Sequence, residues 1–76
     1  MIRVLLFAGL KEQLQRSELT INRREMSVRQ LREELEKRSV RQASTIMVAV
    51  NEEFATDQEI IRDGDVVALI PPVSGG

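Results

Sequence analysis

Two short apolar segments near the N-terminus have the residue pattern of paired β-strands. Residues 2–8 form a compact run of branched and bulky side chains that ends at Gly9, and such a run is more typical of a strand than of a short helix. Residues 18–22 alternate polar and apolar side chains, as a strand with one buried face does. We expect the two to pair through a connection over residues 9–17, so that a β-hairpin opens the domain.

The first strand has two apolar faces of different character, because successive side chains point to opposite sides of a sheet. One face carries Ile2, Val4, Leu6 and Ala8, and the other carries Arg3, Leu5 and Phe7. Since Arg3 is a poor candidate for burial, the second face should be at least partly wet. Leu5 and Phe7 are then either an exposed docking surface or covered by a loop of the same chain, and the pattern leaves both open.

One main helix is predicted to begin after Ser27. Ser27 can cap its first turn, Gln30 can complete a capping box, and Met26 can pack on Leu31. The apolar stripe of this helix is Val28, Leu31 and Leu35. The pairs Glu33 with Lys37 and Glu34 with Arg38 stand at i,i+4 on its wetter side. The helix should end near Arg38, before a polar connection that contains Ser39, Gln42 and Ser44.

The C-terminal half predicts the remaining strands of the sheet. Residues 46–50 form a third strand, Asn51-Glu52 a turn and residues 53–55 a short return. Residues 56–59 show a second capping-box pattern that predicts one helical turn, which would place Ile60 or Ile61 under the domain. A turn at residues 63–65 leads into 66–70, which is apolar on both faces and therefore predicts a central strand. The fold class is α+β: a mixed sheet with one main helix packed across one face.

Length and composition limit the chemistry of this chain. Seventy-six residues are enough for one small domain, and a chain that is 42% hydrophobic but only 3% aromatic predicts an aliphatic core. The chain contains neither cysteine nor histidine, which removes disulfides, thiolate metal sites and the commonest general base near neutral pH. Catalysis by the chain alone is therefore not expected. With no signal peptide or membrane-spanning segment in its pattern, a cytoplasmic protein is expected.

Charge is divided unevenly between the two halves. Residues 1–42 carry ten basic and six acidic groups, a net +4, and residues 43–76 carry one basic and six acidic groups, a net −5. Either this is the chance asymmetry of a small protein, or the acidic half docks on a basic partner surface. Acidic residues interrupt every basic cluster, so no nucleic-acid site is expected.

Asp63 and Asp65, with Glu59 nearby, could suggest a cation site. We interpret Asp63-Gly64-Asp65 instead as the residues of a turn.

The last six residues are the strongest candidate for a chemical role. Pro71 and Pro72 follow the predicted central strand, and because proline cannot donate to a sheet ladder, they direct the chain away from the sheet. Gly75 and Gly76 then present a terminal carboxylate with no side chain nearby, which a narrow channel could admit. Alone, a diglycine end is more often a frayed terminus. Directly after a rigid Pro-Pro it predicts a reactant.

Residues 63–76, which end in Pro-Pro-Val-Ser-Gly-Gly, together with 4–8 and 48–51, resemble the small, sulfur-carrying subunits of molybdopterin synthase. The resemblance covers essentially the whole chain and implies a ubiquitin-like β-grasp fold. It divides the chain into a β-grasp domain, residues 1–70, and an extended tail, residues 71–76. Thiamine sulfur carriers and ubiquitin share the terminal diglycine, but not as a rule the proline-led tail.

The resemblance also implies a cycle of chemistry at Gly76. An E1-like enzyme would adenylate its carboxylate with ATP, and a sulfur donor enzyme would convert it to a thiocarboxylate. That group would pass sulfur to cyclic pyranopterin monophosphate on the large subunit of molybdopterin synthase, within a heterotetramer. The chain itself would bind no cofactor or metal. The residues implied in partner binding are Phe7, Lys11, Pro71, Pro72, Val73, Ser74, Gly75 and Gly76.

Lys11 departs from the arginine that many relatives carry, which would weaken any bidentate contact there.

Three other functions remain open. A protein modifier would transfer the same activated Gly76 to a lysine, a carrier for thiamine thiazole synthesis would deliver sulfur elsewhere, and a passive interaction module would do no chemistry.

Overall fold

The fold consists of seven strands and two helices within the residues that the structure, a computed structural model, describes: 1–40 and 43–71. In chain order they are β1 (Ile2–Leu6), α1 (Ala8–Leu14), β2 (Glu18–Ile21), β3 (Glu25–Ser27), α2 (Val28–Lys37), β4 (Met47–Val50), β5 (Glu53–Phe54), β6 (Ile60–Arg62) and β7 (Val66–Ile70). None of the helices in this described part is long and apolar enough to cross a membrane.

Five of the strands form one mixed sheet in the order β2-β1-β7-β4-β5. β1 pairs parallel with β7, and the other neighbours are antiparallel. The predicted hairpin of the first two strands is confirmed by the β1–β2 pairing, which aligns Ile2 with Ile21. The prediction that residues 66–70 form a central strand is also confirmed, because β7 lies between β1 and β4.

The connection between β1 and β2 is a helix that the sequence analysis missed. β1 ends at Leu6, not at residue 8, because Ala8 has a φ of 49° and begins α1. Leu10 is buried, and Leu14 packs against the core from the edge of the helix. Ala8 was therefore wrongly assigned to the buried face of the strand, and it is exposed. A helix of seven residues shows too few turns for its period to be recognised.

The main helix forms as the pattern predicts. The backbone N–H of Gln30 donates to Ser27 Oγ (3.0 Å), and the N–H of Ser27 donates to Gln30 Oε1 (2.9 Å), which confirms the capping box. Val28, Leu31 and Leu35 are fully buried, and α2 ends at Lys37. Of the two predicted i,i+4 pairs, Glu34 with Arg38 forms an ion pair at 3.6 Å.

Residues 56–62 correct a second prediction. Instead of a helical turn, the N–H of Glu59 closes a short turn on the carbonyl of Thr56, and the chain continues as the extended β6. β6 pairs antiparallel with β3 in a separate two-stranded sheet. Pairing with β3 supplies the backbone partners that a helical turn would have supplied within the chain, so tertiary context overrides the local capping pattern. Ile61 is buried, as expected, whereas Ile60 is 45% exposed.

The segment between α2 and β4 is more buried than its polar residues indicate. Gln42 lies outside the described residues, but Val40, Ala43 and Ile46 all belong to the core. The half-buried Arg32 holds the end of the segment: its Nη1 donates to the carbonyls of Ala43 (2.7 Å) and Ile46 (2.6 Å). Its Nε donates to Asp57 Oδ1 at 2.8 Å. The guanidinium therefore supplies charged hydrogen-bond donors to two backbone carbonyls beside the core.

The core lies between α2 and one face of the five-stranded sheet. Among the described residues it is built from aliphatic side chains and one methionine, which confirms the expected aliphatic core. The sheet contributes Ile2, Val4, Leu6, Leu19, Ile21, Val48, Val67 and Leu69. We call this the inner face of the sheet. A mixed sheet with one main helix across one face is confirmed.

Candidate functional site

The site predicted from the sequence begins where β7 leaves the sheet. β7 ends at Ile70, and Pro71 follows in no regular structure and is half-buried. The predicted site residues Pro72, Val73, Ser74, Gly75 and Gly76 lie outside the described residues. What the structure defines is therefore the surface from which these residues depart, and their roles stay predictions.

Phe7 lies at the same end of the sheet as Pro71. β1 and β7 run parallel with Leu6 aligned to Leu69, so the residues that follow these two leave the sheet at one edge. The side chain of Phe7 is 49% exposed, which decides between the two possibilities for this residue in favour of exposure. Leu5, the residue before Leu6, is half-buried.

Lys11 lies on α1, close to Phe7. Both residues line one shallow depression of about 380 Å³, together with Leu5 and Glu18. Lys11 is exposed. The structure thus brings together the three described residues of the predicted partner-binding set, Phe7, Lys11 and Pro71, at the end of the sheet where the chain continues to Gly76. Of these residues, the exposed aromatic ring of Phe7 is of a type enriched at protein contact surfaces, whereas lysine is not.

The sheet surface opposite the inner face carries a group of apolar side chains that are exposed or half-buried in the described part of the chain. We call it the open face and define it as Leu5, Phe7, Met47, Phe54, Val66, Ala68 and Ile70. Phe54 is 64% exposed and Met47 is 44% exposed. Cross-strand partners share a face, and the register aligns Met47 with Ile70 and both Phe54 and Ala68 with Ala49.

Phe54 and Met47 are candidate contact residues that the sequence analysis missed. The run Met47-Val48-Ala49-Val50 is apolar throughout, so its pattern does not show which alternate residues face outward. The two-residue β5 is too short to show any period. The composition gives no signal either, because the count of two phenylalanines does not show that both lie outside the core, as the structure places them.

A depression of about 480 Å³ lies on the open face. It is lined by Leu5, Phe7, Asn51, Glu52, Val66 and Ala68. Asn51 fixes one end of it, because its Oδ1 accepts from the N–H of Val66 (3.0 Å) and its Nδ2 donates to Asp65 Oδ1 (3.0 Å). Asn51 and Glu52 both have positive φ, 51° and 71°, in the tight turn between β4 and β5. The depression therefore has an apolar floor, and a carboxylate lies beside it.

The charged groups around the sheet are engaged in local structure. Arg3 pairs with Glu18 at 2.8 Å on the open side of β1 and β2, and the hydrogen bond to Glu18 raises the pKa of Arg3. The backbone N–H of Arg62 and then the side chain of Asn51 lower the pKa of Asp65.

The candidate cation site is not formed by the described residues. Asp63 pairs with the ammonium group of Met1, which lowers the pKa of the Asp63 carboxyl. Asp65 is held by Asn51 and by the backbone of Arg62. No group of three or more potential metal ligands occurs among residues 1–40 and 43–71. Asp63-Gly64-Asp65 is a turn, as predicted, with Gly64 at a φ of 93°.

Two curated proteins of known name are similar in sequence to part of this chain. The chain is 48% identical over 33 residues to a molybdopterin synthase sulfur carrier subunit of Arabidopsis thaliana, a match that spans 43% of this chain and 34% of that protein. It is 50% identical over 34 residues to the protein of the same name from Chlamydomonas reinhardtii, spanning 42% of this chain and 41% of the relative. The chain thus covers about two fifths or less of the length of these relatives.

A solved structure extends the likeness to the whole domain. A putative molybdopterin converting factor, subunit 1, from Pyrococcus furiosus matches with a TM-score of 0.75 and 27% identity. The match covers 95% of this chain and 97% of that one, and the shared fold is the ubiquitin-like β-grasp. The ThiS family profile matches residues 4–76, which include the strands of the open face and the C-terminal diglycine. With that match over nearly its entire length, the chain belongs to the ThiS family.

Proposed function

We propose that this chain carries sulfur for molybdopterin synthesis as the small subunit of a molybdopterin synthase. The observation that carries the proposal is the family match through residue 76, because it includes the diglycine on which the chemistry depends. The names of the two curated relatives support molybdopterin as the product and a multi-subunit assembly as the setting.

The proposal divides the chain into a β-grasp domain, residues 1–70, and a tail, residues 71–76. Two observations support this division. β7 is the central strand, so its end is held by neighbours on both sides. Pro71 then lacks the N–H that would continue the ladder. Six residues reach about 20 Å at 3.3–3.6 Å each, which is enough for Gly76 to enter a partner's active site.

The reaction sequence begins with the Gly76 carboxylate. It attacks the α-phosphate of ATP on an E1-like adenylating enzyme, pyrophosphate leaves, and an acyl-adenylate forms. A sulfur donor enzyme then supplies sulfur at the oxidation level of sulfide, which attacks the carbonyl carbon of the acyl-adenylate; AMP leaves, and Gly76 becomes a thiocarboxylate. On the large subunit of molybdopterin synthase two such thiocarboxylates in turn pass one sulfur each to cyclic pyranopterin monophosphate. Each Gly76 returns to a carboxylate as water supplies the oxygen, and the two sulfurs build the dithiolene. Because the chain has no cysteine or histidine, the partners supply the base and the sulfur-bearing nucleophile.

Partner docking in this proposal uses Phe7, Lys11 and residues 71–76. The first two flank the end of the sheet from which the tail departs, and the rest of the open face extends the apolar contact. Lys11 offers one point charge where an arginine would offer two parallel hydrogen bonds. The large subunits would form the central dimer of a heterotetramer, with one carrier on each.

Intact-mass spectrometry tests the chemistry directly. The full chain is incubated with ATP, the adenylating enzyme and the sulfur donor enzyme, and replacement of one oxygen by sulfur is expected. Deletion of Gly76 should abolish the mass change and leave the circular dichroism spectrum intact. An unloaded wild-type chain under conditions that load a known carrier would contradict the proposal, and loss of the folded spectrum on deletion would contradict the division into domain and tail.

The same incubation, followed by incubation of the loaded chain with each candidate sulfur acceptor, separates the alternative functions. High-mass conjugates joined through Gly76 to lysine would identify a protein modifier. If the thiocarboxylate forms but delivers sulfur to a thiazole precursor and not to cyclic pyranopterin monophosphate, the chain is a thiamine sulfur carrier. The curated relatives are named for molybdopterin synthase, which favours a sulfur carrier for molybdopterin synthesis over these two alternatives.

A further inference from the structure

The open face exposes large apolar side chains to solvent. Both phenylalanines of the chain, Phe7 and Phe54, are about half or more exposed there, together with Met47. The described core contains no aromatic residue. Aromatic and methionine side chains are enriched at protein interfaces, and a contiguous exposed apolar patch marks a contact surface. These residues therefore contribute to association more than to the stability of the monomer.

The shape of the open face is suited to a copy of itself. Small side chains lie in its centre, where Ala68 pairs with Ala49, and the 480 Å³ depression opens beside them. Larger side chains, those of Phe7, Met47 and Phe54, stand towards its ends and edge. A two-fold contact requires a surface that carries both the projection and the recess, since each copy offers the same patch. The open face carries both.

The charges at two opposite corners of the sheet are also compatible with a two-fold contact between two copies. Lys11 lies beside Phe7, near the end of β1 and the start of β2. Glu52 lies in the β4–β5 turn, at the other end and the other side of the sheet, and lines the 480 Å³ depression. A two-fold axis in the plane between two facing sheets can superpose each corner on the opposite corner of the partner. Two Lys11–Glu52 contacts then form at once.

We propose that the open face binds the open face of a second copy, as a two-fold homodimer with Lys11 of each protomer against Glu52 of the other. The contact is apolar at its centre, and its ion pairs are exposed, where each adds little energy. The dimer is accordingly weak, with a dissociation constant on the order of micromolar. Its charges select the register of the two sheets more than they supply affinity.

The dimer would store the free carrier with its docking residues covered. Phe7 and Lys11 belong to the open-face contact and also to the partner surface, so one copy cannot use them for both. This competition rests on the proposed function, but the dimer itself does not. Dissociation would precede docking on the adenylating enzyme or the large subunit, and the rate of sulfur loading would rise less than in proportion to the total concentration of carrier.

Sedimentation equilibrium of the isolated full chain, from low micromolar to millimolar concentration, tests the dimer without any partner. We expect a monomer–dimer equilibrium. Phe54→Asp should weaken it at least about tenfold, the effect of losing an interface hot spot. The matched control is Ile60→Asp, which places the same charge at an exposed apolar residue of the two-stranded sheet and should leave the equilibrium unchanged. A monomer at every concentration, or equal effects of the two variants, would overturn the proposal.

Charge reversal tests the register. Lys11→Glu and Glu52→Lys should each weaken the homodimer, because each sets like charges against one another twice. An equimolar mixture of the two variants should recover association, since both contacts then join opposite charges. A double variant that carries both changes should also recover it. If the single variants associate as the wild type does, or if neither the mixture nor the double variant recovers, Lys11 does not face Glu52 and this arrangement is wrong.

Discussion

The two faces of the central sheet differ in what their apolar residues do. On β7, Val67 and Leu69 point to the inner face and are fully buried, whereas Val66, Ala68 and Ile70 point to the open face and are half-buried. The strand is apolar on both sides, yet only one side is covered by α2. The comparison shows that hydrophobicity alone does not define a core, because a residue must also be covered by another element of the same chain.

The kind of side chain also separates the faces. The inner face uses branched aliphatic residues, which pack at high density with few rotamers. The open face carries Phe7, Phe54 and Met47, which offer large contact areas and adapt to a partner. We therefore assign the free energy of folding chiefly to the inner face and the free energy of association to the open face.

The largest test of this assignment is Leu69→Ala on the inner face. Removal of this fully buried side chain from the central strand should lower the free energy of unfolding by about 2–5 kcal/mol, because a cavity is left in the core. The matched control is Ile70→Ala, the next residue of β7 but on the open face, which should cost less. Urea unfolding of both variants measures the difference, and equal losses would contradict the assignment.

The second test weakens the helix that covers the inner face. Ser27→Ala removes the Oγ that accepts the N–H of Gln30, and it should cost about 1 kcal/mol of stability. Ser44→Ala, at an exposed serine outside any helix, should cost less than about 0.5 kcal/mol. Thermal unfolding followed by circular dichroism would show the two shifts in melting temperature. A Ser27→Ala variant as stable as the wild type would mean that the cap does not hold α2.

Acid should lower the free energy of unfolding by a smaller amount, through Asp65. This residue joins the turns that precede β5 and β7. The hydrogen bonds to Asp65 lower its pKa in the folded state. A carboxyl whose folded pKa lies below its unfolded pKa contributes stability above the unfolded pKa, about 3.9 for aspartate, and this is lost as the pH falls through the folded pKa. Asp65→Asn should therefore flatten the fall in unfolding free energy below about pH 5.

Urea unfolding at a series of pH values measures this slope. Because Asp63 also has a lowered pKa, part of the pH dependence should remain in Asp65→Asn. A slope identical to that of the wild type would show that Asp65 does not contribute. Asp57→Asn serves as a comparison at a different carboxylate, the one that is bound by Arg32.

The smallest effect on stability should come from the open face. Phe54→Ala removes the more exposed of the two phenylalanines, and the free energy of unfolding should change by no more than about 0.5 kcal/mol. A loss comparable to that of Leu69→Ala would place Phe54 in the core and remove the distinction between the faces. Urea unfolding under the conditions used for Leu69→Ala gives the comparison directly.

The sequence correctly predicts those elements whose pattern is complete within a few neighbouring residues. The capping box of Ser27 and Gln30 needs only neighbouring residues, and the two-sided apolar run of β7 has its own length and period. The candidate site stays a prediction, although the structure places Phe7, Lys11 and Pro71 at one end of the sheet. Phe54 was missed, because an apolar residue in a two-residue strand has no local signal of exposure.

Elements whose formation depends on distant partners were not predicted. α1 has seven residues, too short for its periodicity to be recognised, and it is secured by burying Leu10 against the core. β6 exists because β3 pairs with it, across more than thirty residues of chain. In both cases the stabilising partner lies outside the window in which a pattern can be read.

By itself, the sequence determined the fold class, the central position of β7, the aliphatic core and the exclusion of cysteine or histidine chemistry. These follow from local periodicity, turn residues and composition, which need no distant partner. Only the tertiary structure decided which face of β7 is covered, that Phe7 is exposed, and that Phe54 and Met47 join it on one surface. Exposure is a property of what packs against a residue, and α2 packs against one side of the sheet alone.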